Sequence, residues 1–96
     1  MTTYIILSRL DTNINIKPEE FKEKIAINVA DKIHKDCPGF VWKATYATIG
    51  HYDFINIVEC DDPKQLKKAS MYIRLYGKCT TETMVATPWN EFIEAL

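Results

Sequence analysis

Residues 47–63 read ATIGHYDFINIVECDDP, and the way this stretch divides decides the fold. Gly50 and Asp53 mark a tight turn, 53–60 (DFINIVEC) is apolar and β-branched enough for a strand, and DDP opens a helix with Asp61 or Asp62 as N-cap and Pro63 in its first turn. Residues 40–48 (FVWKATYAT) form a strand before the turn. Two strands so close in sequence must form a hairpin. The unit is therefore strand, hairpin, strand, helix.

The rest of the chain extends this unit in both directions. Downstream, Leu66, Ala69, Ile73 and Tyr76 are spaced three, four and three apart, a buried stripe on a helix that stops at Gly77. Residues 79–87 (CTTETMVAT) give a fourth strand, and PWNEFIEAL a short terminal helix with proline at its start. Upstream, 3–9 (TYIILSR) is a first strand and LDTNIN a loop. Pro18, Glu19 and Glu20 suit the start of a helix in which Phe21, Ile25, Val29 and Ile33 recur every four residues, and CPG at 37–39 stops it near 36. By simple alternation Phe40, Trp42 and Tyr46 share one face of the second strand, a row that serves an aromatic pocket, a core or an interface.

The order βαββαβ is the split βαβ, ferredoxin-like arrangement of an α+β domain. Right-handed crossovers put the first and third strands at the centre of a four-stranded antiparallel sheet. Ile5 and Leu7 alternate with Tyr4 and Ile6, and Ile55 and Ile57 with Phe54 and Val58, so both faces of both central strands are apolar. Two helices cover only one face. A second copy of the chain is the economical cover for the other, which predicts a homodimer through the open sheet face. Met71, Tyr72 and Leu75 lie off the buried stripe, and they serve either as a patch for pairing dimers or as a seat for the C-terminal segment.

Composition narrows the partners. Ninety-six residues, 1–96, make one domain of 47% hydrophobic and 26% charged residues, with no apolar run long enough for a membrane span. The net charge is −1 and the lysines are mixed with acids, so no basic stripe exists for nucleic acid. Cys37, Cys60 and Cys79 are odd in number and widely spaced, which fits reduced thiols in the cytoplasm rather than a disulfide framework. His34 and Cys37 lack a third ligand nearby, so no metal is expected, and no cofactor is called for.

Gly50-His51-Tyr52-Asp53 resembles the G-x-Y-D signature of the GYD domain family, and the flanking order Y-x-T-x-G-x-Y-D…I-V-E runs from Tyr46 to Glu59. TET at 81–83 and TPWNEF at 87–92 are also similar to that family, so the likeness spans nearly the whole chain. It implies a dimeric α/β barrel of ferredoxin-like units without an established reaction. The chain departs from the family pattern at Thr80, where an arginine is usual, and at Lys17, where a threonine would cap the first helix.

The topology gathers Arg9, Asp11, His51, Tyr52, Asp53, Tyr76 and Cys79 at one end of the sheet. A functional reading makes His51 a proton acceptor, with Tyr46 or Tyr52 bonding a ligand oxygen and with Glu59 as a buried base. Arg9, Trp42 and Glu82 then join Tyr52 as ligand-binding residues. The structural reading gives Gly50 a positive φ, lets Asp53 bond turn amides, leaves His51 solvated, and puts Glu59 and Glu82 at exposed or paired positions. Two functions follow from these readings. One is an oligomeric binding or accessory module with a small-molecule pocket. The other is a cofactor-independent oxygenase, isomerase or cyclase acting on a small hydrophobic substrate.

Overall fold

The computed structural model describes residues 1–96. Strands β1 (Thr2–Leu10), β2 (Val41–Ala47), β3 (Phe54–Cys60) and β4 (Cys79–Ala86) form one antiparallel sheet in the order β2-β3-β1-β4. The ferredoxin-like order expected from the sequence is the one observed. Helix α1 runs in three segments, Pro18–Glu20 as α-helix, Phe21–Ala26 as π-helix and Ile27–Asp36 as α-helix. Helix α2 spans Pro63–Tyr76 and α3 spans Trp89–Ala95. No helix is long and apolar enough to cross a membrane.

The core lies between the helices and one face of the sheet. Ile6 and Val58 from the central strands are fully buried there, against Val29 and Ile33 of α1 and Ala69 and Ile73 of α2. Each large aliphatic side chain removed from water contributes ~1.5–3 kcal/mol, so this single layer supplies most of the folding drive. Helix α2 starts as expected, with Asp62 Oδ1 accepting from the amide of Lys64 at 2.9 Å. Its stripe ends differently. Tyr76 is exposed, its ring edge-on to Tyr72 and covered by the Lys32 ammonium, and Gly77 takes the buried place.

The π segment of α1 has a cause in the sequence. A strict four-residue spacing drifts about 40° per step around an α-helix, so Phe21, Ile25, Val29 and Ile33 would spiral off the core. A π-turn holds more residues per turn and takes that drift back. The segment covers Phe21 and Ile25, and the two buried residues, Val29 and Ile33, follow it.

A β-bulge corrects the expected aromatic row. Trp42 faces Val58 across the strands and Tyr46 faces Ile55, with a register shift between Trp42 and Ala44. The extra residue reverses the alternation, so Phe40 and Trp42 stay on the helix side while Tyr46 points to the open side. Phe40 and Trp42 pack edge to face with centroids 5.4 Å apart.

The hairpin turn matches its sequence at Gly50, whose φ is +146°. A Cβ there would meet open space, so the cost of a side chain is backbone strain alone. Gly50→Ala is expected to destabilise by ~1 kcal/mol or more. An unchanged midpoint in urea would show that the turn relaxes to an ordinary conformation.

Candidate functional site

Asp53 ties the hairpin to the neighbouring strand rather than to its own turn. Its Oδ2 accepts from the amide of Leu10 at 2.8 Å, and its amide donates to Ser8 O at 2.8 Å. The turn is closed instead by Thr48, whose hydroxyl donates to Tyr52 O and whose amide donates to Asp53 O. A carboxylate at the start of β3 thus fixes where β1 ends. Asp11 lies just beyond, its amide bonded to Lys78 O, so the ends of β1 and α2 meet here.

The residues singled out in the sequence divide between the two faces of the sheet. On the open face Tyr52 donates to Glu82 Oε2 across β1, with Arg9 close enough to act on its charge. The bond to Glu82 raises the phenol pKa above the ordinary tyrosine value, so Tyr52 is a neutral donor at physiological pH. His51 is exposed and sits edge-on to Tyr52, with ring centroids 4.8 Å apart. Tyr46 is also exposed on this face, opposite Ile55. Glu59 stands at the other end of β3, six residues from Asp53, a distance of roughly 20 Å along a strand. It pairs with Lys43 at 3.4 Å. His51, Tyr52, Glu82 and Arg9 therefore form one polar corner, and Glu59 does not belong to it.

Trp42 and Cys79 lie on the helix face, and Trp42 leads to a site that the sequence reading missed. Its indole Nε1 donates to Asn56 Oδ1 at 2.9 Å, and Thr45 Oγ1 donates to the same oxygen at 2.7 Å. Asn56 is 6% exposed, on a central strand where β-propensity disfavours it. Between this network and α1 is a cavity of about 340 Å³, walled on the helix side by Phe21, Ile25 and Val29. Neither His51, Tyr46 nor Glu59 lines it. The missed signals were two polar residues, Ser8 and Asn56, inside otherwise apolar central strands.

Cys79 lines the far end of the cavity, and its thiol pKa is pushed up to about 11, first by burial and then by the charge of Asp53. The folded protein thus holds this proton above the thiol's ordinary 9.0. Stability from this group is complete below pH 9 and is lost as pH rises through about 11. Burial of the Cys37 thiol and the Tyr72–Asp36 hydrogen bond shift those two groups in the same direction. The urea midpoint is expected to fall between pH 9 and 11, and to fall less in Cys79→Ala. An equal slope in the variant would clear Cys79 of the effect.

Known proteins resemble this architecture along its whole length. A Thermus thermophilus protein named "Glutamine synthetase and cystathionine beta-lyase binding protein" is 32% identical over 100 residues, covering 100% of this chain and 99% of its own. The crystal structure of a hypothetical protein from Pyrococcus horikoshii superposes with a TM-score of 0.55 at 27% identity, covering 92% of each chain. The Mycobacterium tuberculosis leucine response regulatory protein shares the fold alone, with a TM-score of 0.59 at 12% identity. The match covers 91% of this chain and 51% of that one, so this chain spans about half of that regulator. The GYD domain model matches residues 4–96, and the chain belongs to the GYD domain family.

Proposed function

We propose that this protein is a homodimeric binding module that attaches to other proteins in the cytoplasm rather than transforming a substrate. The observation that carries the reading is the open face of the sheet. Ile5 and Leu7 of β1 lie opposite Ile57 and Ile55 of β3, flanked by Ala44 on β2 and Met84 on β4, with no helix over them. Ile5, Leu7, Ile55 and Ile57 are half-buried in the single chain and Met84 is 41% exposed, and an apolar patch running across four strands is the kind of surface that marks an interaction site. Its ends carry both signs of charge, Lys43 and Glu59 at one and Arg9 and Glu82 at the other. A patch with an apolar centre and mixed charges at its rim complements itself under a two-fold axis, which favours a second copy as the occupant.

Two further features support an assembling protein. Helix α3 leaves Trp89 71% exposed and Phe92 and Ile93 nearly half exposed, an apolar arm with nothing of its own chain to cover it. Leu75 is 58% exposed on the outer side of α2, a seat for pairing dimers together with Met71 and Tyr72. Tyr72 is partly engaged already, since its hydroxyl donates to Asp36 Oδ2 at 3.0 Å. The three cysteines are free thiols, in keeping with a reducing compartment. The name of the Thermus relative supports enzymes as the partners. Catalysis is the weaker reading because His51, Tyr46 and Glu59 do not converge.

Sedimentation equilibrium at micromolar concentration, alone and with the glutamine synthetase and the cystathionine beta-lyase of the same cell, tests the proposal. The expected result is a mass of two chains, or four if the α2 seat is used, and a complex with at least one enzyme. A folded monomer would overturn the dimer. A dimer that binds neither enzyme would remove the partner assignment.

A further inference from the structure

We infer that the cavity between α1 and the sheet is a binding site for a small, uncharged, mostly apolar molecule carrying a carbonyl oxygen. Its volume of about 340 Å³ is within the range of ligand pockets, which start near 300 Å³. Nine of the thirteen residues around it are hydrophobic, and none is Asp, Glu, Lys, Arg or His. A charged group seated at its depth, beside Ser8 and Asn56, would be without a partner, at a cost that the apolar walls could not offset. A carbonyl compound meets no such penalty.

The polar groups that remain are matched to one oxygen. Ser8, 1% exposed, lines the cavity, and its Oγ has no hydrogen-bond partner in the protein. A buried hydroxyl left unpaired is destabilising, and such groups are few in native proteins. Asn56 has its Oδ1 committed to Trp42 and Thr45, and the indole is a donor only, so the amide orientation is fixed. Its Nδ2 is then left as a free donor. Asn56 is paired with Ile6, and Ser8 is two residues further along β1 on the same face. Such diagonal neighbours stand about 7 Å apart, which lets a single acceptor oxygen between them receive a bond from each.

The apolar part of the ligand also has its place. Phe21 and Phe54 stack nearly parallel with centroids 5.8 Å apart and form one wall, and the Trp42 indole forms another. Phe21 belongs to the π-helical segment, a feature often found at functional sites. Entry is between α1 and β2, where Ala26, Ala30 and Thr45 line the cavity and are exposed. Water is a poor occupant of most of this volume, since each molecule needs two to four polar partners and the walls offer only a few. The site is on the opposite side of the sheet from the open face, so the inference does not depend on the dimer.

Titration of the 15N-labelled protein with acetophenone, ethylbenzene and benzoate, read by amide and indole resonances, tests the site. Acetophenone should shift the Trp42 indole N–H and the Asn56 side-chain amide, and bind about tenfold tighter than ethylbenzene, which lacks the acceptor. Benzoate should leave both resonances unmoved. Ser8→Ala should reduce the preference for acetophenone, with the Asn56 amide left as the one donor, while ethylbenzene still binds, and Ala30→Phe, at an exposed position on the entry, should block both in a folded protein. The inference fails if no probe moves these resonances at millimolar concentration, if benzoate binds as well as acetophenone, or if Ala30→Phe leaves binding intact. Shifts confined to Trp89 or the open face would likewise overturn it, and would place the ligand at the assembly interface.

Discussion

Ile57→Lys is expected to convert the proposed dimer to a folded monomer, with the dimer dissociation constant rising at least about a hundredfold. Ile57 is at the centre of the open face, directly opposite Ile5, and is half-buried in the single chain. In the monomer a lysine there can lay its stem across the sheet and keep its ammonium in water, so the cost to the fold is small. The closed dimer denies it that route. A two-fold interface meets the substitution twice, and each buried ammonium without a partner costs several kcal/mol, so an estimate of about 3 kcal/mol is conservative. The helix-side core, with Ile6 and Val58, is untouched. Sedimentation should therefore report one chain while circular dichroism and the urea slope stay those of a folded protein. If the variant remains a dimer, the contact between copies is made elsewhere, with the outer side of α2 and the α3 arm the next surfaces to examine.

The elements were legible in the sequence because each end carries its own local chemistry. Pro18, Pro63 with Asp62, Gly77 and the turn at Gly50 are punctuation whose meaning needs no tertiary contact; the helices begin and end within a residue of their marks, and the turn at Gly50 lies between strands that end at Ala47 and begin at Phe54. The faces were less legible. A period-two reading places Trp42 and Tyr46 together, and one bulge residue sends them to opposite sides. Bulges leave no reliable mark in composition. The corner around Tyr52 followed from topology alone, since β1, the hairpin and β4 share one end of the sheet. Glu59 could not be placed that way, because a strand residue's distance from a site depends on register, and register is set by pairing. The cavity escaped notice for a different reason. It lies along the first half of α1, where Phe21, Ile25 and Ala26 of the π segment line it, and the strict four-residue stripe reads at first as an ordinary amphipathic helix.

The second large effect is expected at Gly77, and it is not a matter of φ. The residue has φ −87°, open to any amino acid, and its amide donates to Ile73 O at 2.9 Å to close the helix. A Cβ built there runs into that same carbonyl oxygen. A flexible side chain could swing away from such an overlap, but a backbone carbonyl in the last turn of α2 can move only by moving the helix end. Overpacking of this kind costs ~1–3 kcal/mol and the terminal hydrogen bond about 1 more, so Gly77→Ala is expected to destabilise by about 3 kcal/mol. That is a large share of the ~5–15 kcal/mol that holds a small domain together. The next residue gives the opposite sign. Lys78 has φ +56°, a left-handed conformation that a side chain disfavours by ~1–2 kcal/mol, so Lys78→Gly should stabilise by up to about 1 kcal/mol. Urea midpoints of the two variants separate overlap from backbone strain, because only overlap predicts that they move in opposite directions. The same displacement should also reach the cavity, since Ile73, Gly77 and Cys79 form its far wall. If Gly77→Ala unfolds at the wild-type midpoint, the end of α2 slides on the sheet without cost and that wall is not rigid.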